Sequence, residues 1–592
     1  MSSESLPPAG AQNQTEVFAV HGADPEILAF AMAKYSRSAL SMRESLTEIS
    51  SQRAEQFLNT FYFQYGHRSI ADLAHVAFAV ERLSLLAAIV LVDETRWDGQ
   101  ERSTRYQNFM KSGWYIPDFG DDRASIGLYS KTIDSLFTAY QNVSAAVLEL
   151  LRKRVTRPEA LRPDSYERTL RARAFDVARY LLPLATNTSL GQIVSARTLE
   201  TQVSRLLSHP NAEVRDLGAK LREAALTPAW NVNAPAAKAF IEKIAELGRK
   251  REQGEANETS RDQESATINP YTNQPDPEWD SNSVLRPDGP PRAEAISVKD
   301  ANLNLASAEN ALAAEAAALF LRDVRTAPTL VKYAERSEYL IKSQGELRQV
   351  AGELLAKVPL DGPYYRAVDL VERSEPLEVE LAATLLYSVS HHPYRAIRDL
   401  VASWPSVRVA EIVELGLRHR GRHDEALRAF HAGAALRFDI LMDIGGFRDM
   451  HRHRRCTQIV QGFTAEHGYD NPGSGDLPFD VDILSEAGVL AEYDSAIQSA
   501  HKAAAQIAAG SAPEAAQSAA YLYPLATRIR ALFKMDFAEA QYISELRSAP
   551  AGHFSYRRIA WLMFLAIQDR HPSLARHIRV TDFTKPIDIF QR

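Results

Sequence analysis

The sequence predicts a helix-rich α+β protein made of two copies of one domain that together form a pseudo-dimer, and three observations carry that prediction. The first is a repeat of very long period. DPEILAFAMAKYS (24–36) recurs as EPLEVELAATLLYS (375–388), and ARYLLPLAT (178–186) recurs as AAYLYPLAT (519–527). Between these anchors His75, in SIADLAHVAFAVERLS, is matched by His431, downstream of His423. The second is periodicity: PEILAFAMAKY and VELAATLLYSV place apolar residues at helical spacing, whereas EVFAV, AVDLV and FAVERL read as short strands. The third is a polar stretch over about 250–295, REQGEANETSRDQESATINPYTNQPDPEWDSNSVLRPDGPPR, with no hydrophobic period. Such a composition cannot bury enough apolar surface to offset its ordering entropy, so the chain divides there.

A chain of 592 residues is too long for one hydrophobic core. In order, the reading is a first copy over 15–250, a polar linker over 251–300, a helical connector over 301–366 and a second copy over 367–592. Within the connector, Ala-rich AENALAAEAAALFLRDV (308–324) is expected to be a helix.

Composition excludes several function classes. With 45% hydrophobic and 24% charged residues the chain reads as an ordinary soluble globular protein. No apolar stretch is long enough to span a membrane, and MSSESLPPAGAQNQ lacks the basic and apolar regions of a signal peptide, so a cytoplasmic location without a membrane partner is expected. A single cysteine, Cys456, rules out an internal disulfide framework and a multi-cysteine zinc site. Arg454 and Arg455 beside it would lower a thiol pKa, yet lone cysteines are more often inert. A formal charge of −7, and basic runs without interleaved aromatics, argue against nucleic acid as a partner. His419 and His423 are four apart, but Gly421 lies between them and no third ligand is evident, so no metal is expected.

The chemistry-bearing residues form a divided signature. ERSTRY (101–106) stands only in the first half and HRHRR (451–455) only in the second. Five adjacent cationic or protonatable side chains repel one another, and placing them after the apolar run ALRFDILMDIGGF makes sense if an anion compensates them. The plainer alternative is a solvated basic turn, and RHRGRH (418–423) repeats the same tripeptide. In extended backbone Glu101, Ser103 and Arg105 would point the same way, suited to a polar ring and a phosphate. The plainer alternative there is an exposed strand with an internal ion pair.

Both motifs occupy adjoining places in the shared template, and here the chain resembles the flavin-dependent thymidylate synthases. That family's pattern is a His-x-Ser helix start, an apolar strand, Arg-His-Arg, then Glu-x-Ser-x-Arg-Tyr eight residues after the first arginine. The resemblance covers roughly 15–220 and, more weakly, 367–565. The first copy matches at His67 and Ser69, at Glu101, Ser103, Arg105 and Tyr106, at Arg179, at Arg197 and, with a one-residue gap, at Arg205. Where the family has Arg-His-Arg it reads Asp93-Glu94-Thr95. The second copy restores Arg452-His453-Arg454 and the late Arg547, but offers Val460, Gly462, Thr464, Ala520 and Ala538 where the first copy keeps Glu101, Ser103, Arg105, Arg179 and Arg197. Further departures are Asp449 for a glutamine, Ser195 and Thr201 for asparagines, and Asp72 for a glutamate.

The resemblance implies one composite site joining Arg452 and Arg547 to Glu101, Ser103, Arg105 and Arg179, and a reciprocal site in which Arg205 is the surviving contact. It implies dUMP as substrate, reductively methylated to dTMP with methylenetetrahydrofolate and NADPH as co-substrates and FAD as cofactor. Arg547 would sit at the uracil edge as the catalytic residue, Arg105 and Arg179 would take the phosphate, and Ser103 would orient the nucleotide. His67, Ser69, Glu101, Arg197, Arg452, His453 and Arg454 would hold the flavin. The family forms tetramers of single-copy chains, so a homodimer of this double chain is expected. Two other readings stay open: a non-catalytic fused relative that binds flavin or nucleotide, and a flavoenzyme acting on another nucleotide.

Overall fold

The computed structural model describes residues 22–34, 70–252, 308–332, 334–338, 341, 366–370, 376–388, 394–418, 430, 436–472, 483–512, 514–585 and 590. The stretch EVFAV, most of the polar linker, and His419 and His423 lie outside them.

Nine elements of the first half recur in the second. The first half runs β1 (His75–Ser84), α1 (Leu85–Leu91), β2 (Asp98–Glu101), α2 (Arg123–Arg154), α3 (Pro163–Ala178), a single 3-10 turn (Arg179–Leu181), β3 (Asn187–Ser195), α4 (Ala196–Leu207) and α5 (Ala212–Leu226). The second half runs β4 (Val368–Leu370), then β5 (Leu436–Asp443), α6 (Ile444–Met450), β6 (Thr457–Val460), α7 (Leu490–Ala508), α8 (Ala515–Ala519), a matching 3-10 turn (Ala520–Leu522), β7 (Arg528–Met535), α9 (Phe537–Ser548) and α10 (Phe554–Arg570). Each half builds an antiparallel sheet, ordered β1-β3-β2 and β4-β5-β7-β6. The expected strands at FAVERL and AVDLV are β1 and β4, and the Ala-rich connector is helical over Ala308–Phe320. The fold is thus helix-rich α+β with a repeated domain.

The strand-to-helix corners have a local cause. Ser84 accepts from the Ala87 amide at 2.9 Å and Asp443 from the Gly446 amide at 2.6 Å, capping α1 and α6 at equivalent positions. Ser195 and Asp536 cap α4 and α9 in the same way, at 3.2 Å and 2.8 Å. Each cap satisfies an amide that the helix itself leaves without a partner.

The halves meet through the ARYLLPLAT and AAYLYPLAT segments, which lie antiparallel with Pro183 opposite Pro524. Leu184 donates to the Tyr523 carbonyl and Leu525 to the Leu182 carbonyl, both at 2.9 Å. Ala185 donates to Tyr521 at 2.9 Å and Ala526 to Tyr180 at 3.0 Å. Every bond has its reciprocal between equivalent positions, the pattern a local twofold produces. One contiguous core runs through the junction, with Leu181, Leu184, Leu522 and Leu525 fully buried. Helices α2 and α7 pack across it, and Asn142 donates to Glu492 at 2.7 Å.

One expectation needs correction. The strand ends at Glu101, and residues 104–106 form a turn, so the alternating extended backbone does not continue to Arg105. The Ser103 hydroxyl accepts from the Arg105 amide at 3.2 Å and so helps close the turn, while its O–H remains a donor.

Helix α6 is tightly seated. A Cβ at Gly446 would come within 3.0 Å of the Ser555 hydroxyl and of the Met442 Cε, and 3.1 Å from the Asp443 carboxylate. Gly446→Ala is expected to lower unfolding free energy by about 1–3 kcal/mol in denaturant titrations, whereas Gly462→Ala, with open space around it, should leave the midpoint unchanged.

Candidate functional site

The second half contributes the cationic floor. Helix α6 carries Arg448 and Asp449, and Arg452 follows at once; α9 brings Arg547 in its last turn, and α10 opens with His553 and places Tyr556 in its first turn. The first half supplies Glu101 at the end of β2, the turn through Arg105, and Arg179 in the 3-10 turn beside the junction.

These side chains converge on Asp449. Its carboxylate lies 3.3 Å from Arg179 Nη1, and Arg105, Arg452 and Arg547 also act on it. Burial raises the Asp449 pKa, but the four guanidinium groups outweigh that and hold it below the usual carboxylate range. Charges from both ends of the polypeptide therefore do share one neighbourhood.

The arginines differ in how much donor capacity remains. Arg105 is nearly spent: Nε and Nη2 clamp Asp176 at 2.7 Å and 3.1 Å, Nη1 donates to the Tyr556 hydroxyl at 3.0 Å, and Nη2 also donates to the Ala551 carbonyl at 3.2 Å. Of five N–H groups, this leaves one on Nη1. Arg179 is the opposite case. Only 1% exposed, it uses Nη1 for Thr104 and Asp449, while Nε and Nη2 have no hydrogen-bond partner among the described residues. Buried guanidinium nitrogens without acceptors are costly, and an anion placed there would satisfy them. Arg452 is exposed and makes no hydrogen bond to a described residue. Arg547 donates from Nε to His453 Nε2 at 2.8 Å and lies over the Tyr556 ring, its centroid 5.4 Å away.

Two histidines act as neutral braces. His453 accepts from Arg547 at Nε2, so its proton sits on Nδ1, 3.4 Å from Glu539; burial is the main cause that depresses its pKa. His553, fully buried, donates from Nε2 to the Asp176 carbonyl at 2.8 Å and accepts the Ser555 amide at Nδ1. Burial, then Arg179 and Arg105, push its pKa well down.

The reciprocal face is built differently. Arg205 gives Nε and Nη2 to one oxygen of Glu94, at 3.0 Å and 2.8 Å, so its charge is compensated within the first half. Beside it is a cavity of about 210 Å³ lined by Asp93, Glu94, Thr95, Thr201, His451 and Arg454 among others. Arg454 lies over Trp97, and its Nε and Nη2 have no hydrogen-bond partner among the described residues; burial pulls its pKa down to about 10.

Of the expected residues, the structure groups Arg105, Arg179, Arg452 and Arg547 around Asp449. Glu101 is close by but already ion-paired with Arg448 of the second half, both side chains nearly buried. Arg197 is paired with Asp72 at 2.9 Å, a carboxylate it shares with Arg96. His67 and Ser69 lie outside the described residues. Sequence reasoning missed Arg448, Asp176 and Tyr556. Arg448 was within reach, since it stands four residues before Arg452 in the same cationic stretch. Asp176 precedes Arg179 by three and would have been found by the same rule. Among the described residues no three His, Cys, Asp or Glu side chains are grouped as metal ligands, and no helix is long and apolar enough to cross a membrane.

The class this defines is a protein of two like domains joined by one seam, with guanidinium groups of both halves gathered beside it. By sequence, the thymidylate synthase complementing protein family matches residues 17–228 and again 381–573, well over half of the chain, and the chain belongs to that family. Similar proteins extend over both halves. A UPF0159 protein of Chlamydia muridarum is 26% identical over 589 residues, covering 95% of this chain and 91% of that one. UPF0159 proteins of Chlamydia pneumoniae and Thermoplasma acidophilum are 24% and 23% identical, covering 96% and 93% of this chain and 92% and 94% of their own.

Cys456 is buried, and burial pushes its thiol up to about 12 despite the arginines beside it. In the folded protein at mildly alkaline pH it should resist iodoacetamide and react only after denaturation, as read by intact mass.

Proposed function

We propose that this chain is a flavin-dependent thymidylate synthase, a fused pseudo-dimer that converts dUMP to dTMP at one composite site between its halves. The observation that carries the reading is Arg179, buried at the junction with Nε and Nη2 unpaired, close to Arg452 and Arg547 from the other half. A phosphate monoester supplies the acceptors those nitrogens lack. The family membership and the reciprocal junction bonds support the same reading.

In this reading Arg179 binds the phosphate with Arg452 and the last free N–H of Arg105, whose clamp on Asp176 fixes its position. Arg547 is held by His453, which leaves its Nη groups for the uracil edge, where a fixed positive charge favours the N3-deprotonated base. Tyr556 lies between Arg105 and Arg547 and spaces them.

For a flavin dinucleotide the donors left over are Arg452 and, on the cavity beside Arg205, Arg454, whose Nε and Nη2 have no hydrogen-bond partner among the described residues. Arg452 and Arg454, with His67 and Ser69, would hold it, and it would supply the hydride that completes the methyl group. Glu101 and Arg197 are reassigned to bracing, since each is paired within the protein. A homodimer of the double chain, acting without nucleic acid, belongs to the same proposal.

The purified protein should contain flavin at close to one per chain and form dTMP from dUMP, methylenetetrahydrofolate and NADPH. Arg179→Ala and Arg452→Ala should each weaken dUMP binding in calorimetry by about a hundredfold or more. Arg205→Ala, which breaks only the pair with Glu94, should leave it within a factor of about two. Two flavins per chain, or loss of dUMP binding in Arg205→Ala with Arg179→Ala intact, would overturn the single-site assignment. Bound flavin and dUMP without product would favour the non-catalytic relative.

A further inference from the structure

A helical hairpin lies between the two family-matched stretches and apart from the main core. Its arms are the helices Ala234–Glu252 and Ala308–Phe320, whereas the matches end at 228 and resume at 381. At its base the Ala229 amide donates to the Val324 carbonyl at 2.7 Å and Asn231 Nδ2 to the Phe320 carbonyl at 2.8 Å, so one arm leaves where the other returns. Between the arms Ile241, Ala245, Ala313, Ala316 and Ala317 form a small core separate from the one that joins the halves. No other described helix or strand packs closely on either arm.

One side of this hairpin is left apolar. Counted at about 100° per residue from the faces that meet, Phe240 on the first arm and Leu312 and Leu319 on the second fall on the same side, because antiparallel helices wind in opposite senses when viewed along one direction. They are 56%, 55% and 64% exposed. Trp230, Val232 and Phe320 at the base are also more than half exposed. On the order of 600 Å² of apolar surface per chain is thus uncovered, about the share that one partner brings to a small specific interface.

Charge points to what covers it. Lys243 and Glu315 stand within about one helical turn of the same level, on the outer rim of the apolar side, and neither is ion-paired with a described residue. A second hairpin, turned about a twofold axis parallel to the arms, lays each first arm against the other copy's second arm. Phe240 then meets Leu319 of the other copy and Lys243 meets its Glu315, each contact made twice, as a closed isologous interface requires. Other covers fit less well. The segment that joins the arms is the polar stretch already described, which offers little apolar surface. The two arms hold five Lys or Arg and five Glu, so they have no basic surplus for an anionic membrane.

We propose that this hairpin is the dimerisation element of the chain: two copies join their Phe240, Leu312 and Leu319 faces into an antiparallel four-helix bundle, held in register by Lys243 and Glu315 across the twofold. The proposal rests on the homodimer named above, gives it a contact surface, and is independent of the nucleotide site.

The test is sedimentation equilibrium of the full chain over a range of concentrations, with far-UV circular dichroism to show that each variant is folded. Wild type should be a dimer. Leu319→Glu should raise the dimer dissociation constant by about tenfold or more, by burying a charge in the seam. Lys243→Glu should raise it about threefold at low salt, and Lys243→Glu with Glu315→Lys should return it to within a factor of about two, which a merely structural role would not do. A dimer unmoved by Leu319→Glu, or a double variant no tighter than Lys243→Glu alone, overturns the proposal and leaves the homodimer standing on another face. Hydrogen exchange in which residues 308–320 are equally protected at all concentrations also overturns it, since the chain's own joining segment is then the cover. A wild-type monomer at every concentration overturns both this contact and the homodimer, with flavin content and dUMP binding still to be read separately.

Discussion

The exchange of backbone hydrogen bonds across Pro183 and Pro524 is the constraint on which the site depends. Four amides and four carbonyls pair two copies of one segment antiparallel, and each bond is mirrored by its equivalent. Arg179 is four positions upstream of Pro183, at the start of this seam, so a residue of the first half is carried directly against α6 of the second. Buried amides cannot be left without acceptors at tolerable cost, which makes the register of the seam, and hence the position of Arg179, hard to shift.

Around that seam the protein handles much of its buried charge by pairing it within the fold. Arg105 is clamped by Asp176, Arg448 by Glu101, and Arg205 by Glu94. Arg179 and Arg452 are left with unpaired donors. Two of the histidines in and beside the motif, His453 and His553, carry their protons where a neighbouring acceptor requires, and burial keeps them neutral. A run that reads as five cations on paper is therefore a smaller and more directed charge in the fold.

The halves have diverged in a compensating manner away from the arginine cluster as well. At the first strand-to-helix corner Ser84 is the cap and Glu213 at the start of α5 receives its amide and hydroxyl. At the second corner the cap is Asp443 and the partner at the start of α10 is Ser555, which donates to it. Carboxylate and hydroxyl have changed places while the bond survives. The structural pair is retained in both copies because each corner needs it, whereas the arginines gathered around Asp449 are kept in only one copy of each pair.

The repeat, the helix-rich α+β class, the strands at FAVERL and AVDLV, and the meeting of Arg105, Arg179, Arg452 and Arg547 were all legible in the chain, because periodicity and motif order survive as linear patterns. What tertiary structure alone decided was which donors remain free. Arg105 and Arg179 read as equivalent phosphate ligands in sequence, yet one is consumed by Asp176 and the other is left open, since hydrogen-bond capacity is allotted by neighbours more than a hundred residues away as well as by those nearby. Glu101 and Ser103 likewise carry internal contacts that the motif does not announce, a cross-half ion pair and a turn closure. A linear motif records which groups are available; distance and burial decide which of them are already taken.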